Sequence, residues 1–249
     1  MTRVVWGPAL ALAGGGARAA SFSLGALLQL RDTKGADGKP LIDRVALVTA
    51  VSGGAITAAY FGQHGPAGLD GFRAAALDKN WQGKLHTSFA SPNNWARLAQ
   101  GGLNGPDKLA DWLDSEIFHG AKMRDMPNRP RIVINATDVY SSTPFAFATP
   151  WFEAVCSDLG QVRVADAVAA SMAVPIVFRP VIVEAYAENC PAPLPAWVEK
   201  AAKNRSAPVL LRETAHAFQI YRDPGQLKFV HLAAIAIWLA VSPNARPVR

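Results

Sequence analysis

The sequence predicts an α/β fold, a three-layer sandwich in which a central, mostly parallel sheet lies between helices. Two observations carry this expectation. Short apolar runs alternate along the chain with longer stretches at helical spacing, the pattern of strand–helix–strand crossovers. Half of the 249 residues are apolar and only 18% are charged, which suits a large buried core and excludes a disordered chain. No linker-like stretch divides the chain, so residues 1–249 are expected to form a single domain.

The elements follow in order. ALALA at 9–13 is a buried strand that enters a turn at Gly14-Gly15-Gly16. Phe22, Leu24, Ala26, Leu27, Leu28 and Leu30 place a helix over 19–31. VALVTAV at 45–51 is a second strand, apolar throughout, as expected for one covered on both faces. Ser52-Gly53-Gly54 interrupts it, and a helix follows over 55–61. Residues 65–130 read as helical and irregular, with Trp81, Trp95 and Trp112 among them and an amphipathic helix starting at Pro106. RIVINATDVY at 131–140 is a third strand, and STPFAFATP after it a short hairpin partner. A helix over 165–173 stops at Pro175 and leads to a further strand. The proline-rich segment 188–208 reads as a surface loop with one helical turn, and LKFVHL at 227–232 is the last strand-like run.

Composition narrows the function. The net charge of +6 favours loose attraction to anionic surfaces such as lipid headgroups. Lys and Arg are scattered, with no basic, aromatic-rich strand, so no nucleic-acid partner is expected. His64, His86, His119, His216 and His231 form no metal-ligand spacing, and no metal is expected. Cys156 and Cys190 fit either one disulfide or two inert thiols. Residues 4–16 have the outline of a signal-peptide core, but the short apolar part is better explained by the glycine motif it runs into. The apolar stretch 229–241 is shorter than the roughly 20 residues of a membrane span and reads as a buried strand or helix.

Two motifs meet the needs of acyl transfer. AVSGG at 50–54 lies between a buried strand and a helix, a variant of G-x-S-x-G with alanine in the first glycine place. A serine there takes a strained backbone that lifts its Oγ above the sheet, and the following helix N-terminus favours developing negative charge. The second motif is Gly14-Gly15-Gly16-Ala17-Arg18, also between strand and helix, whose backbone amides can converge on an anion or oxyanion. It fails the dinucleotide fingerprint, because Ala19 stands at the last glycine, and it lacks a P-loop lysine, so no cofactor is expected.

In series, these two motifs resemble the patatin-like phospholipase family. The similarity continues through INATD (134–138), FAFATP (145–150) and VADAVAASMAVPIVFRPV (164–181). The resemblance implies a patatin-like α/β fold and a lipid acyl hydrolase acting on lipid esters or phospholipids. It implies a Ser–Asp dyad in which Ser52 attacks the ester and the amides of Gly15, Gly16 and Gly53 hold the oxyanion. Arg18 would brace the glycine loop or meet a phosphate.

The pattern departs at its end. The family carries the dyad Asp in D-G-[GA] after a late strand, whereas here the chain continues AAIAIWLAV from Ala233 and has no Asp beyond Asp223. Residues 233–249 are therefore expected to be an atypical or truncated end. Asp138, at the end of a strand, and His231, just before the missing motif, are the candidate substitute bases. Asp166 reads as a helix cap and Asp223 as a turn residue. Two further readings stand beside the hydrolase. One is a lipid-binding pseudo-enzyme that kept the fold and lost its base. The other is a Ser–His–Asp hydrolase using His216 or His231.

Overall fold

Apolar runs become strands and the stretches between them become helices, in the order expected. The computed structural model describes residues 7–79, 106–174, 177–190, 193–223, 225 and 229–234. β1 (Ala9–Leu12), α1 (Gly16–Asp32), β2 (Leu47–Ala50) and α2 (Gly53–Gly68) open the chain. β2 pairs in parallel with β1 and with the first half of β3 (Arg131–Asp138), so that Leu12, Ala50 and Ile134 stand level. Parallel neighbours require a crossover; α1 supplies the first and α2 begins the second.

The other half of the sheet is antiparallel. β4 (Thr143–Ala146) folds back on β3 as the hairpin read from STPFAFATP. β5 (Val181–Glu184) pairs with β6 (Phe229–Ala233), which in turn meets β3 at Thr137 and Asp138. The order is β1-β2-β3-β6-β5, with β4 beside β3. The fold is α/β, a mixed sheet with a parallel core, flanked by helices.

Packing is tightest where the site is built. Over Gly53–Phe61 every residue of α2 is buried, because the helix lies between the sheet and α1. Only small side chains permit this: Ala55, Ala58 and Ala59 are wholly buried, and the Thr57 hydroxyl donates to the Ala20 carbonyl of α1 at 3.1 Å. α3 (Pro106–Leu113), the amphipathic helix expected from Pro106, packs on α5 (Val164–Met172), which is buried almost throughout and also packs on β3, β6 and α2. One cluster of buried apolar residues reaches from Leu12 to Leu232. Its aromatic part gathers Phe147 and Phe152 at 5.7 Å from Phe145, beside Tyr221.

Some local expectations change. Segment 188–208 contains a helix of eight residues, α6 (Ala196–Lys203), rather than one turn, and α7 (Val209–Tyr221) follows it. Prolines mask this stretch in the sequence, but Pro195 and Pro208 each stand just before a helix, where their fixed φ is compatible with the first turn. Val198 and Ala201 of α6 and Ala217, Phe218 and Tyr221 of α7 then supply the buried face. β2 is covered unequally: Val48 and Ala50 are buried while Leu47 and Thr49 are half-buried. Trp81, Trp95, His86, the Pro175 stop and the tail from 235 lie outside the described residues.

Cys156 and Cys190 are joined in a disulfide, which decides between the two alternatives. The bond ties the end of α4 (Thr149–Ala154) to the segment after β5 across a sequence separation of 34 residues. Closing a loop of that length restricts the unfolded chain. Replacing both cysteines by serine is expected to lower the unfolding free energy by about 2–4 kcal/mol. Urea titration of the double variant checks this, and an unchanged midpoint would show that the bridge adds no stability.

Candidate active site

Ser52 sits where β2 ends and α2 begins, with φ 51° and ψ −124°. A non-glycine residue in that region is strained, and at such a turn the strain lifts the side chain clear of the strand. The surrounding glycines explain how the turn closes. A methyl group on Gly53 would lie 2.1 Å from the Gly16 carbonyl oxygen, and one on Gly54 would lie 2.6 Å from the Ala13 oxygen. A methyl on Gly14 would lie 3.2 Å from the Ser52 Cβ. The glycine loop between β1 and α1 is thus in backbone contact with the Ser52 turn. Two helix N-termini, α1 from Gly16 and α2 from Gly53, meet beside one half-buried serine. The Gly54 and Ala55 amides already donate to the Val51 and Ser52 carbonyls, at 3.0 and 2.9 Å, and the positive ends of both helices favour negative charge.

A second serine holds the turn in place. The Ser52 N–H donates to Ser171 Oγ at 2.7 Å, and the Ser171 hydroxyl donates to the Asn135 carbonyl at 2.6 Å. Asn135 on β3 also uses its side-chain amide on Thr49 Oγ1 at 2.7 Å and the Ala50 carbonyl at 3.2 Å. Ser171, wholly buried near the end of α5, therefore joins α5, β3 and the Ser52 turn through one hydroxyl, and Asn135 adds β2. Its bond occupies the Ser52 N–H, so that amide is not available to a ligand. Sequence reading passed over both Ser171 and Asn135 as site residues. The available signal was their place in INATD and AASMAVP, two segments that carry the family resemblance.

The remaining candidates lie apart from Ser52 or are otherwise engaged. Arg18, in the first turn of α1, is exposed, and no ion pair engages it among the described residues. Asp138 is wholly buried at the end of β3. One carboxylate oxygen accepts the Tyr140 N–H at 2.9 Å, and the other accepts the Ser141 hydroxyl and the Tyr221 hydroxyl, the latter at 2.8 Å. Burial first, and then the Asp138 charge, push the Tyr221 phenol well above its ordinary value, so it remains a donor. Asp138 thereby locks the β3–β4 turn and α7. No hydrogen bond joins it to Ser52. His231 alternates with buried Val230 and Leu232 on β6 and is exposed rather than packed, because it points from the sheet's outer face. His216 is exposed on α7.

Asp166 lies in the first turn of α5, but its carboxylate accepts from Nε and Nη2 along one edge of the Arg163 guanidinium, at 2.9 and 2.7 Å, instead of capping amides. Asp223 accepts the Gly225 N–H at 2.9 Å, as a turn aspartate does. The end of β6 is the informative place. The Ala234 N–H donates to the Ala173 carbonyl at 2.9 Å, two residues past Ser171. The strand end expected to carry an Asp-Gly-Gly thus runs into the support of Ser52, and Ala233 and Ala234 occupy it.

Two substitutions test this assembly. Ser171→Ala leaves the Ser52 amide and the Asn135 carbonyl without their shared partner, and should cost about 1–3 kcal/mol in chemical unfolding. Amide exchange at Ser52 should also accelerate; unchanged exchange would mean that the bridge does not hold the turn. Gly53→Ala should be worse, by about 3 kcal/mol or more, because its methyl meets backbone that cannot give way. Gly25→Ala, with open space around its added methyl, is the control and should leave the thermal midpoint unaltered or raise it.

A search of curated proteins finds no match to this chain. A scan of protein-family models matches the Patatin-like phospholipase model over residues 10–196, which spans β1, the glycine loop, the Ser52 turn and α5. The match takes in three quarters of the chain and the segments that build the site, and its fold agrees with the mixed sheet and flanking helices. The chain is a member of the patatin-like phospholipase family, a family of lipid acyl hydrolases.

Proposed function

We propose that this protein is a serine hydrolase of lipid esters, with Ser52 as its nucleophile. The observation that supports this best is the strained Ser52 turn in direct backbone contact with the glycine loop. Ser52 Oγ attacks the carbonyl carbon of an ester. The resulting oxyanion lies against the amides of Gly15, Gly16 and Gly53, where two helix N-termini favour negative charge. Collapse expels the alcohol and leaves an acyl group on Ser52, which water removes. Arg18, exposed in the first turn of α1, meets a headgroup phosphate in this reading. No cofactor enters this scheme.

The proton leaving Ser52 needs an acceptor. Asp138 is committed to Tyr140, Ser141 and Tyr221, and His231 is on the outer face, so neither substitutes without rearrangement. With water as acceptor, the step runs about 10²–10⁴-fold below one with a positioned base. This favours a second reading, a lipid-binding pseudo-enzyme whose strand end carries Ala233 and Ala234 where the dyad residue is expected.

Labelling with a fluorophosphonate and turnover of a medium-chain p-nitrophenyl ester separate the two. The hydrolase predicts that Ser52→Ala abolishes labelling and reduces turnover to solvent background. Equal turnover by the wild type and Ser52→Ala would remove Ser52 from the mechanism. Vesicle binding without labelling of the wild type would establish the pseudo-enzyme instead.

A further inference from the structure

The corner between α6 and α7 exposes three consecutive large apolar residues. Val209, Leu210 and Leu211 are 58%, 56% and 41% exposed in the first turn of α7. They contribute little to folding, since the buried face of α7 begins at Thr214 and runs through Ala215, Ala217, Phe218 and Tyr221. Consecutive helical residues are about 100° apart, so the three cover roughly 200° of the helix circumference. No single flat partner surface or groove meets all three. Among the described residues no other exposed large apolar residues come three in a row.

The charge around this corner is net positive. Lys200, Lys203 and Arg205 are all exposed on the α6 side, and with Arg212 they outnumber the two exposed acidic residues, Glu199, paired with Lys203, and Glu213 on α7. Both helices are inserted between β5 and β6. Those strands meet at Glu184 and Phe229, beyond the level of Asp138, so the insertion leaves the sheet at the end toward which β2 and β3 run. That is also the end that carries Ser52.

We propose that the α6–α7 corner docks the protein on an anionic lipid bilayer. Val209, Leu210 and Leu211 enter the boundary between headgroups and acyl chains, while Lys200, Lys203 and Arg205 lie against the phosphates. A fluid apolar phase accepts side chains that point in several directions, and the anionic headgroups complement the basic rim. Contact is peripheral: among the described residues no helix is long and apolar enough to cross a membrane. The inference rests on the lipid reading of Ser52 for the nature of the partner and adds the surface that meets it.

Co-sedimentation with phosphatidylglycerol–phosphatidylcholine vesicles, and with phosphatidylcholine alone, tests this. The wild type should bind the anionic vesicles preferentially and lose binding as salt rises. Leu210→Ser/Leu211→Ser and, separately, Lys203→Glu/Arg205→Glu should each weaken binding about tenfold or more. Fluorophosphonate labelling and turnover of a soluble short-chain ester should be unchanged in both, which also reports that the variants fold. Absence of wild-type binding, or binding by both double variants equal to the wild type, would overturn the docking corner whatever Ser52 does. Corner-dependent binding by a wild type that resists labelling would uphold the corner and discard the nucleophile.

Discussion

The Ser171 hydroxyl is the contact on which the site's geometry depends. It accepts from the Ser52 amide and donates to the Asn135 carbonyl, and it does so while wholly buried. A turn with φ 51° at a serine persists only if neighbouring structure holds it, and this hydroxyl is the polar part of that hold. Since the Asn135 side-chain amide is simultaneously bonded to Thr49 and Ala50, the same residue fixes how the end of β2 sits against β3. The helix α5 is therefore part of the nucleophile turn as well as part of the core.

A steric constraint complements the polar one. Gly53 and Gly54 leave no room for a methyl group because the carbonyls of Gly16, Ala13 and Leu12 lie against them. Close approach of the two strand–helix turns brings the N-termini of α1 and α2 to one place. Small residues carry that closeness further along their length: Ala20 and Thr57 meet in a hydrogen bond, and Ala55, Ala58 and Ala59 are wholly buried on α2. Small residues here serve packing and chemistry together: wider side chains would separate the helices and disperse the amides.

Acidic groups in the core have structural assignments of their own. Asp138 organises Tyr140, Ser141 and Tyr221, and so connects the β3–β4 turn to α7. Arg163 and Asp166 pair across the start of α5. The strand end that approaches Ser171 through Ala234 carries only methyl side chains. The strained Ser52 turn and two helix N-termini are thus brought together with no carboxylate or imidazole hydrogen-bonded to Ser52 among the described residues, the reason we propose slow chemistry.

The sequence by itself determined the order of strands and helices, the Ser52 turn and the glycine loop, because each depends on local patterns: apolar period, small residues and glycine at turns. It also showed that the Asp-Gly-Gly is missing. Tertiary structure decided what depends on distant neighbours. The disulfide between Cys156 and Cys190, the antiparallel pairing of β5 and β6, and the commitment of Asp138 to Tyr221 each join residues far apart in the chain. Ser171 is the sharpest case. Its spacing in α5 marks it only as another small buried residue, and folding alone brings it within 2.7 Å of the Ser52 amide, across 119 positions of sequence.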